Sequence, residues 1–218
     1  MKSRLSSTLV AAALVASPLL VIGAGTDAGA ETTLHAAAAS SAAHHPSVRQ
    51  VRDSRGDVQK VTDRAGQETF APAPSRRHGD ITSLRVRHAG SAVVATVRMR
   101  SLSRHDRLFG AVLQLRTGRA TYTAVLFRMA PGEPLSTDFE GGGETACAGL
   151  RHHVSYRHDR ITIAVPRTCL GSPAWVRARA VIDYFGRPVG GESFFADAAP
   201  GSTLVRIPFM AKAWHPGA

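Results

Sequence analysis

From about residue 84 onward the chain alternates apolar and polar side chains with a period of two. Leu84, Val86 and His88 alternate with Arg85 and Arg87, and Val93, Ala95, Val97 and Met99 alternate with Val94, Thr96, Arg98 and Arg100. Leu113 and Leu115 alternate with Gln114 and Arg116, and Val125, Phe127 and Met129 continue the pattern beside Leu126 and Arg128. Ile161, Ile163 and Val165 alternate with Thr162 and Ala164; Val176, Ala178, Ala180, Ile182 and Tyr184 alternate with Arg177, Arg179, Val181 and Asp183. Successive side chains of a strand point to opposite faces. Each segment therefore offers one apolar face to a core and one mostly polar face to water.

Turn-forming clusters at residues 88–91, 117–119 and 157–160 separate these segments. Further candidate strands lie at 48–61 and 203–209. No segment has a helical period, and no repeat of 20–50 residues is visible. The pattern predicts an all-β protein, an antiparallel two-sheet β-sandwich of jelly-roll-like form over residues 48–210, with a barrel as the alternative closure. The glycine-rich stretch 131–143 is expected to be a long mobile loop, and residues 211–218 a C-terminal tail. Residues 31–47 are low in complexity, with Leu34 as their one large aliphatic side chain before Val48. Such a stretch buries too little surface to offset ordering entropy and reads as a disordered linker.

Residues 1–30 have the organisation of a secretory signal peptide. Lys2 and Arg4 precede an uncharged run from Leu9 to Ile22, and Ala28, Gly29 and Ala30 supply small residues before a cleavage point. The run is shorter than the ~20 residues of a membrane span, so no transmembrane anchor is expected after cleavage. A secreted, extracellular protein is implied. Cys147 and Cys169, the two cysteines of the 218-residue chain, then read as one disulfide.

Charge narrows the partners. The formal net charge is +11, and loss of two basic residues and one acidic residue with the leader leaves +10. Of the 27 basic residues all but Lys2, Lys60 and Lys212 are arginine, a bias that GC-rich codons also produce. Such a domain attracts polyanions, among them nucleic acid and anionic cell-envelope polymers such as teichoic acids. Arg85 and Arg87, Arg98 and Arg100, and Arg177 and Arg179 each lie two apart on a predicted strand. If the three strands share one sheet, six guanidiniums form a single outer surface suited to phosphate. A solvated surface is the alternative reading.

The residues Gly79-Asp80-Ile81, Val86-Arg87-His88, and the run from Val165 through Cys169, Gly171, Pro173 and Trp175 to Arg177 resemble a group of small secreted actinobacterial proteins of unassigned function. The resemblance covers roughly residues 48–185. It implies a fold similar to the jelly-roll sandwiches of carbohydrate-binding and DOMON-type modules, and it carries over no catalytic residue.

Enzyme motifs are absent: there is no nucleophile elbow G-x-S-x-G, no H-E-x-x-H zinc pair and no phosphate-binding glycine loop. A hydrolase with a site assembled from distant residues stays open as the alternative to a non-catalytic binding or surface protein. No catalytic residue and no cofactor is assigned. Asp53 and Asp57 flank Gly56, with Asp80 downstream, and these three are calcium candidates, although Arg52 and Arg55 oppose a cation and aspartates of this spacing also serve as turn formers. His88, in phase with Leu84 and Val86, reads as a hydrogen-bonded histidine at the core edge, Trp175 as structural and Trp214 as exposed. The leader reading makes one prediction: intact-mass analysis of secreted protein should find a chain beginning at or near Glu31, and retention of residues 1–30 on membranes would refute it.

Overall fold

Alternating segments close a core only when their apolar faces meet, and here they do so as two stacked antiparallel sheets. The structure is a computed structural model describing residues 47–64, 67–105, 108–130, 132–143, 146–185, 193–201, 203–204 and 207–215. The expected signal peptide and residues 31–46 of the expected linker lie outside these residues. In chain order the strands are β1 (Ser47–Arg52), β2 (Gln59–Arg64), β3 (Gln67–Pro72), β4 (Ile81–His88), β5 (Ala92–Met99), β6 (Leu108–Arg116), β7 (Thr121–Arg128), β8 (Ser136–Gly141), β9 (Arg151–Ser155), β10 (Arg160–Pro166), β11 (Trp175–Phe185), β12 (Ser193–Ala199) and β13 (Ala213–Trp214). One sheet has the order β1-β4-β5-β10-β9. The other runs β3-β2-β12-β11-β6-β7-β8, with β13 paired to the start of β11. Among the described residues the helices are two short 3-10 turns at Tyr156–His158 and Arg167–Leu170, and none is long and apolar enough to cross a membrane.

The core lies between the sheets. From the first sheet Leu84, Val86, Val97, Ile161 and Val165 point inward; from the second come Phe109, Leu113, Leu115, Leu126, Val176 and Ile182, all nearly inaccessible to water. β4 packs across the gap against β11 and β12. Burying such side chains contributes roughly 1.5–3 kcal/mol each. Gly79 marks one place where backbone and core meet: its φ is +79°, and a Cβ there would lie 2.6 Å from the Tyr184 ring. Glycine meets both demands at once.

Several expectations change. The apolar phase of β7 is the reverse of the Val125–Phe127–Met129 series. Tyr122, Ala124 and Leu126 face the core, opposite Leu115, Leu113 and Ala111 of β6, and Met129 is exposed. Both faces of this strand carry apolar side chains, so period alone could not choose between them. The segment 48–61 is two strands in different sheets, β1 and β2, broken at residues 53–58. Stretch 131–143 includes an edge strand, β8, anchored by buried Phe139, which stacks on Tyr122. The described residues of 203–209 are not strand. Backbone bonds from Met210 N–H to the Ala178 carbonyl and from His215 N–H to the Ala174 carbonyl lay residues 210–215 alongside β11 instead. Residues 213 and 214 of the expected tail thus extend the second sheet.

The disulfide Cys147–Cys169 is formed, with Cα atoms 5.5 Å apart. It ties the loop before β9 to the 3-10 turn after β10, and both sulfurs pack at the edge of the core. In the chain-entropy account a loop of this length stabilises by about 3 kcal/mol. Reduction, or a Cys147→Ser/Cys169→Ser double change, should lower the denaturant midpoint by an amount of that order while the far-ultraviolet spectrum keeps its β character.

Asp183, on the outward face of β11 opposite Gly110, supplies a pH-dependent term. Burial first, and then the charge of Glu68, raise its carboxyl from 3.8 to about 6. The folded state therefore holds this proton more tightly than the unfolded chain. Stability is present at the acid end and is lost as pH rises from about 3.8 through 6. Asp183→Asn should accordingly stabilise by on the order of 2 kcal/mol at neutral pH and change little near pH 3.5. Equal effects at both pH values would refute it.

Candidate anion-binding site

Pairing register arranges the outer face of the five-stranded sheet into cross-strand rows. One row reads Arg52, Ser83, Arg98, Arg160 and Ser155; the next reads Gln50, Arg85, Thr96, Thr162 and His153; the third reads Val48, Arg87, Val94, Ala164 and Arg151. No position in the three rows is acidic. The rows are about 7 Å apart, two residues along each strand, and neighbouring positions within a row are about 5 Å apart. Arg98 and Arg160 are direct cross-strand partners, a like-charge pairing that opposes sheet formation.

These side chains line an open groove of about 710 Å³, walled by Gln50, Arg52, Arg55, Arg85, Thr96, Arg98 and Arg160 together with one carboxylate, Asp53. A shallower depression of about 190 Å³ between Arg85, Arg87, Val94 and Thr96 continues it along β4 and β5. Among the described residues no carboxylate lies within ion-pair distance of Arg52, Arg85, Arg87, Arg98 or Arg160. The face carries no Phe, Tyr or Trp in its three rows, and His153 is its one ring, so it offers charge and hydrogen-bond donors with little stacking platform.

Of the six arginines singled out from the sequence, Arg85, Arg87 and Arg98 share this face. The other three do not. Arg177 and Arg179 belong to β11, in the other sheet, because the strands that looked alike by period fall on opposite sides of the core. Their donors are occupied: Arg177 Nε donates to the Met210 carbonyl at 2.9 Å, and Arg179 donates to Gln114 Oε1 at 2.6 Å and to the Ile207 carbonyl. Arg179 also stacks over the Phe209 ring at 4.6 Å. Arg100 follows the end of β5 and pairs with Asp80 at 2.8 Å.

Sequence reasoning missed Arg160, Arg52 and Arg55 as members of the site. Arg160 belongs by composition to the turn cluster 157–160, yet it opens β10 in phase with Thr162, and that phase is the signal for it. Arg52 and Arg55 oppose a cation at the aspartates and, on the groove side, serve an anion.

A second charged cluster lies at the end of the sandwich beyond β1. Asp53 follows β1 and Asp57 precedes β2. Gly56 between them adopts φ +79°, and its N–H donates to Asp80 Oδ2 at 2.9 Å. Asp197 of β12, at 2% exposure, accepts the Ile81 N–H at 2.6 Å and so joins the two sheets. Asp53, Asp57 and Asp197 bring carboxylate oxygens within 4.8 Å of one another, whereas Asp80 stands beside this trio. Burial, with mutual repulsion adding to it, raises Asp53 to about 7 and Asp197 to about 8, and Asp57 upward as well. Asp197 was not foreseen; a lone acid inside the apolar run Phe194-Phe195-Ala196-Asp197-Ala198-Ala199 was its only trace.

The histidines form no relay with a carboxylate in the described contacts. His78 Nδ1 lies 3.2 Å from Ser101 Oγ and His158 Nδ1 2.9 Å from Ser155 Oγ. In both cases serine occupies the nitrogen that an orienting acid uses in a hydrolase triad. His88 is fully buried, with Nδ1 3.3 Å from the Ala213 carbonyl and its ring edge-on to His215. Burial holds it below the usual imidazole range. Trp175 lies 4.3 Å from the Lys212 ammonium, which also reaches the exposed Trp214 at 5.2 Å. Compared with known proteins, the chain matches no family model, no curated protein and no solved structure.

Proposed function

We propose that this is a secreted, non-catalytic binding protein that recognises phosphate-rich polymers through the outer face of the five-stranded sheet. The observation that carries the reading is the set Arg52, Arg55, Arg85, Arg98 and Arg160: five guanidiniums around one groove that holds a single carboxylate, Asp53, and none of them within ion-pair distance of it. Guanidinium forks donate paired hydrogen bonds to phosphate oxygens, and a bound anion relieves the Arg98–Arg160 repulsion. The rows continue toward Arg87 and Arg151 over a further two registers, which suits an extended polyanion better than a single small one. Without Phe, Tyr or Trp to stack on, affinity comes mainly from backbone charge and depends little on base or sugar identity. The closed disulfide is compatible with an oxidising compartment outside the cell.

Teichoic acid and single-stranded DNA both present the required chemistry and serve as parallel probes. Binding should fall steeply between about 50 and 200 mM salt, as counterion release requires. The arginines keep their charge throughout, so the pH dependence should come from Asp53 in the groove: binding should weaken as pH rises through about 7 and that carboxyl ionises. Replacing Arg85, Arg98 and Arg160 together by Gln should weaken binding at low salt by at least about tenfold and flatten the salt slope by about 2. The fold should remain intact and no less stable, since a like-charge pair is removed. An Arg177→Gln/Arg179→Gln variant serves as the control, with binding retained. Failure of the unmodified protein to bind either polymer at low ionic strength, or unchanged binding by the triple variant, would overturn the reading.

A further inference from the structure

Asp53, Asp57 and Asp197 come from two distant parts of the chain, yet their oxygens converge within 4.8 Å. Both carboxylate oxygens of Asp57 are buried and meet no donor from another residue, and Asp53 Oδ2 and Asp80 Oδ1 are buried without a hydrogen-bond partner. Asp80 is itself completely buried and Asp197 almost so. Arg100 answers Asp80 alone. Among the described residues no Lys or Arg lies within ion-pair distance of Asp53, Asp57 or Asp197, in a chain where basic residues outnumber acidic ones by 27 to 16.

Buried carboxylate oxygens without donors are costly unless a cation or a proton meets them. The number of carboxylates favours calcium. Calcium takes several carboxylate oxygens in flexible geometry, whereas magnesium demands a strict octahedron, keeps several waters and is held by one or two carboxylates. The donors are also of the right kind, hard oxygens presented by a turning loop and a neighbouring strand. Gly56 makes the turn possible. A side chain there would be strained at φ +79° and would press on the Pro74 carbonyl at 3.2 Å.

We propose that Asp53, Asp57 and Asp197 bind one divalent cation of calcium's size, with Asp80 beside them, and that the ion pins the 53–58 loop to β12. Two of the three calcium candidates read from the sequence thus act directly, and Asp197 supplies the ligand from the facing strand. The two sites share Asp53, which also lines the arginine groove, but each proposal is tested by its own ligand and neither needs the other to be correct.

The test uses the full-length protein, stripped with a chelator, dialysed, and titrated with CaCl2 at about pH 8, where protons compete less with the metal than in acid. Calorimetry should find one ion per chain. Calcium at a hundredfold excess over its dissociation constant should raise Tm by about 5–10 °C. Asp57→Asn lies in a loop and keeps the shape of the side chain; it should lower calcium affinity at least tenfold and melt higher than the unmodified apo protein. Asp53→Asn should behave alike and is the second variant should Asp57→Asn fail to fold. Asp138→Asn, on the exposed edge strand β8, should leave calcium binding unchanged. The proposal is overturned by an absence of heat and of any Tm shift at millimolar calcium, by an unchanged calcium response in both Asp57→Asn and Asp53→Asn, or by magnesium stabilising as strongly as calcium. The first of these results would assign the trio to shared protons.

Discussion

The period-two alternation on β4, β5 and β10 governs the rest of the molecule. Once Leu84, Val86, Val97, Ile161 and Val165 are committed to the core, Arg85, Arg87, Arg98 and Arg160 have one direction left. Antiparallel register then sets them side by side. The basic face requires no separate folding device, because its geometry follows from burying the opposite face. A one-residue slip of β5 against β4 would expose valines and bury arginines, so the register that builds the core also protects the groove.

Charge is segregated with equal economy. The arginine rows occupy the outside of one sheet, while four aspartates gather where β1, β4 and β12 meet. Asp197 is the hinge of that region. Its Oδ2 accepts from Ile81 of the opposite sheet and its Oδ1 from Ala198 of its own strand. A polar group in that place fixes how the two sheets are aligned, which a purely apolar contact leaves freer to slide. Asp53 touches both worlds, since it also lines the arginine groove.

The sandwich, the disulfide and the outward direction of the arginines on β4 and β5 were legible in the sequence, because strand period and cysteine count report them directly. Sheet membership was not. β5 and β11 have the same alternation, and nothing local says that one faces the other across the core, so Arg177 and Arg179 were grouped with the wrong neighbours. Weak edge strands escaped for a different reason. β8 carries one buried apolar residue and β3 none, and both are held by pairing to a neighbour more than by side chains of their own. The aspartate cluster was half visible: Asp53, Asp57 and Asp80 are close in sequence, whereas Asp197 arrives through long-range topology.

Arg177 and Arg179 illustrate how differently the same residue type can be employed. Their guanidiniums grip the carbonyls of Ile207, Phe209 and Met210, groups that every amino acid possesses. A clasp that reads only main chain is blind to the side chains it holds. Drift in the composition of 207–210 is therefore buffered, apart from the Phe209 ring under Arg179 and the buried Met210. The two arginines are the less replaceable partners: lysine can neutralise a charge, but it lacks the planar fork that spans successive carbonyls.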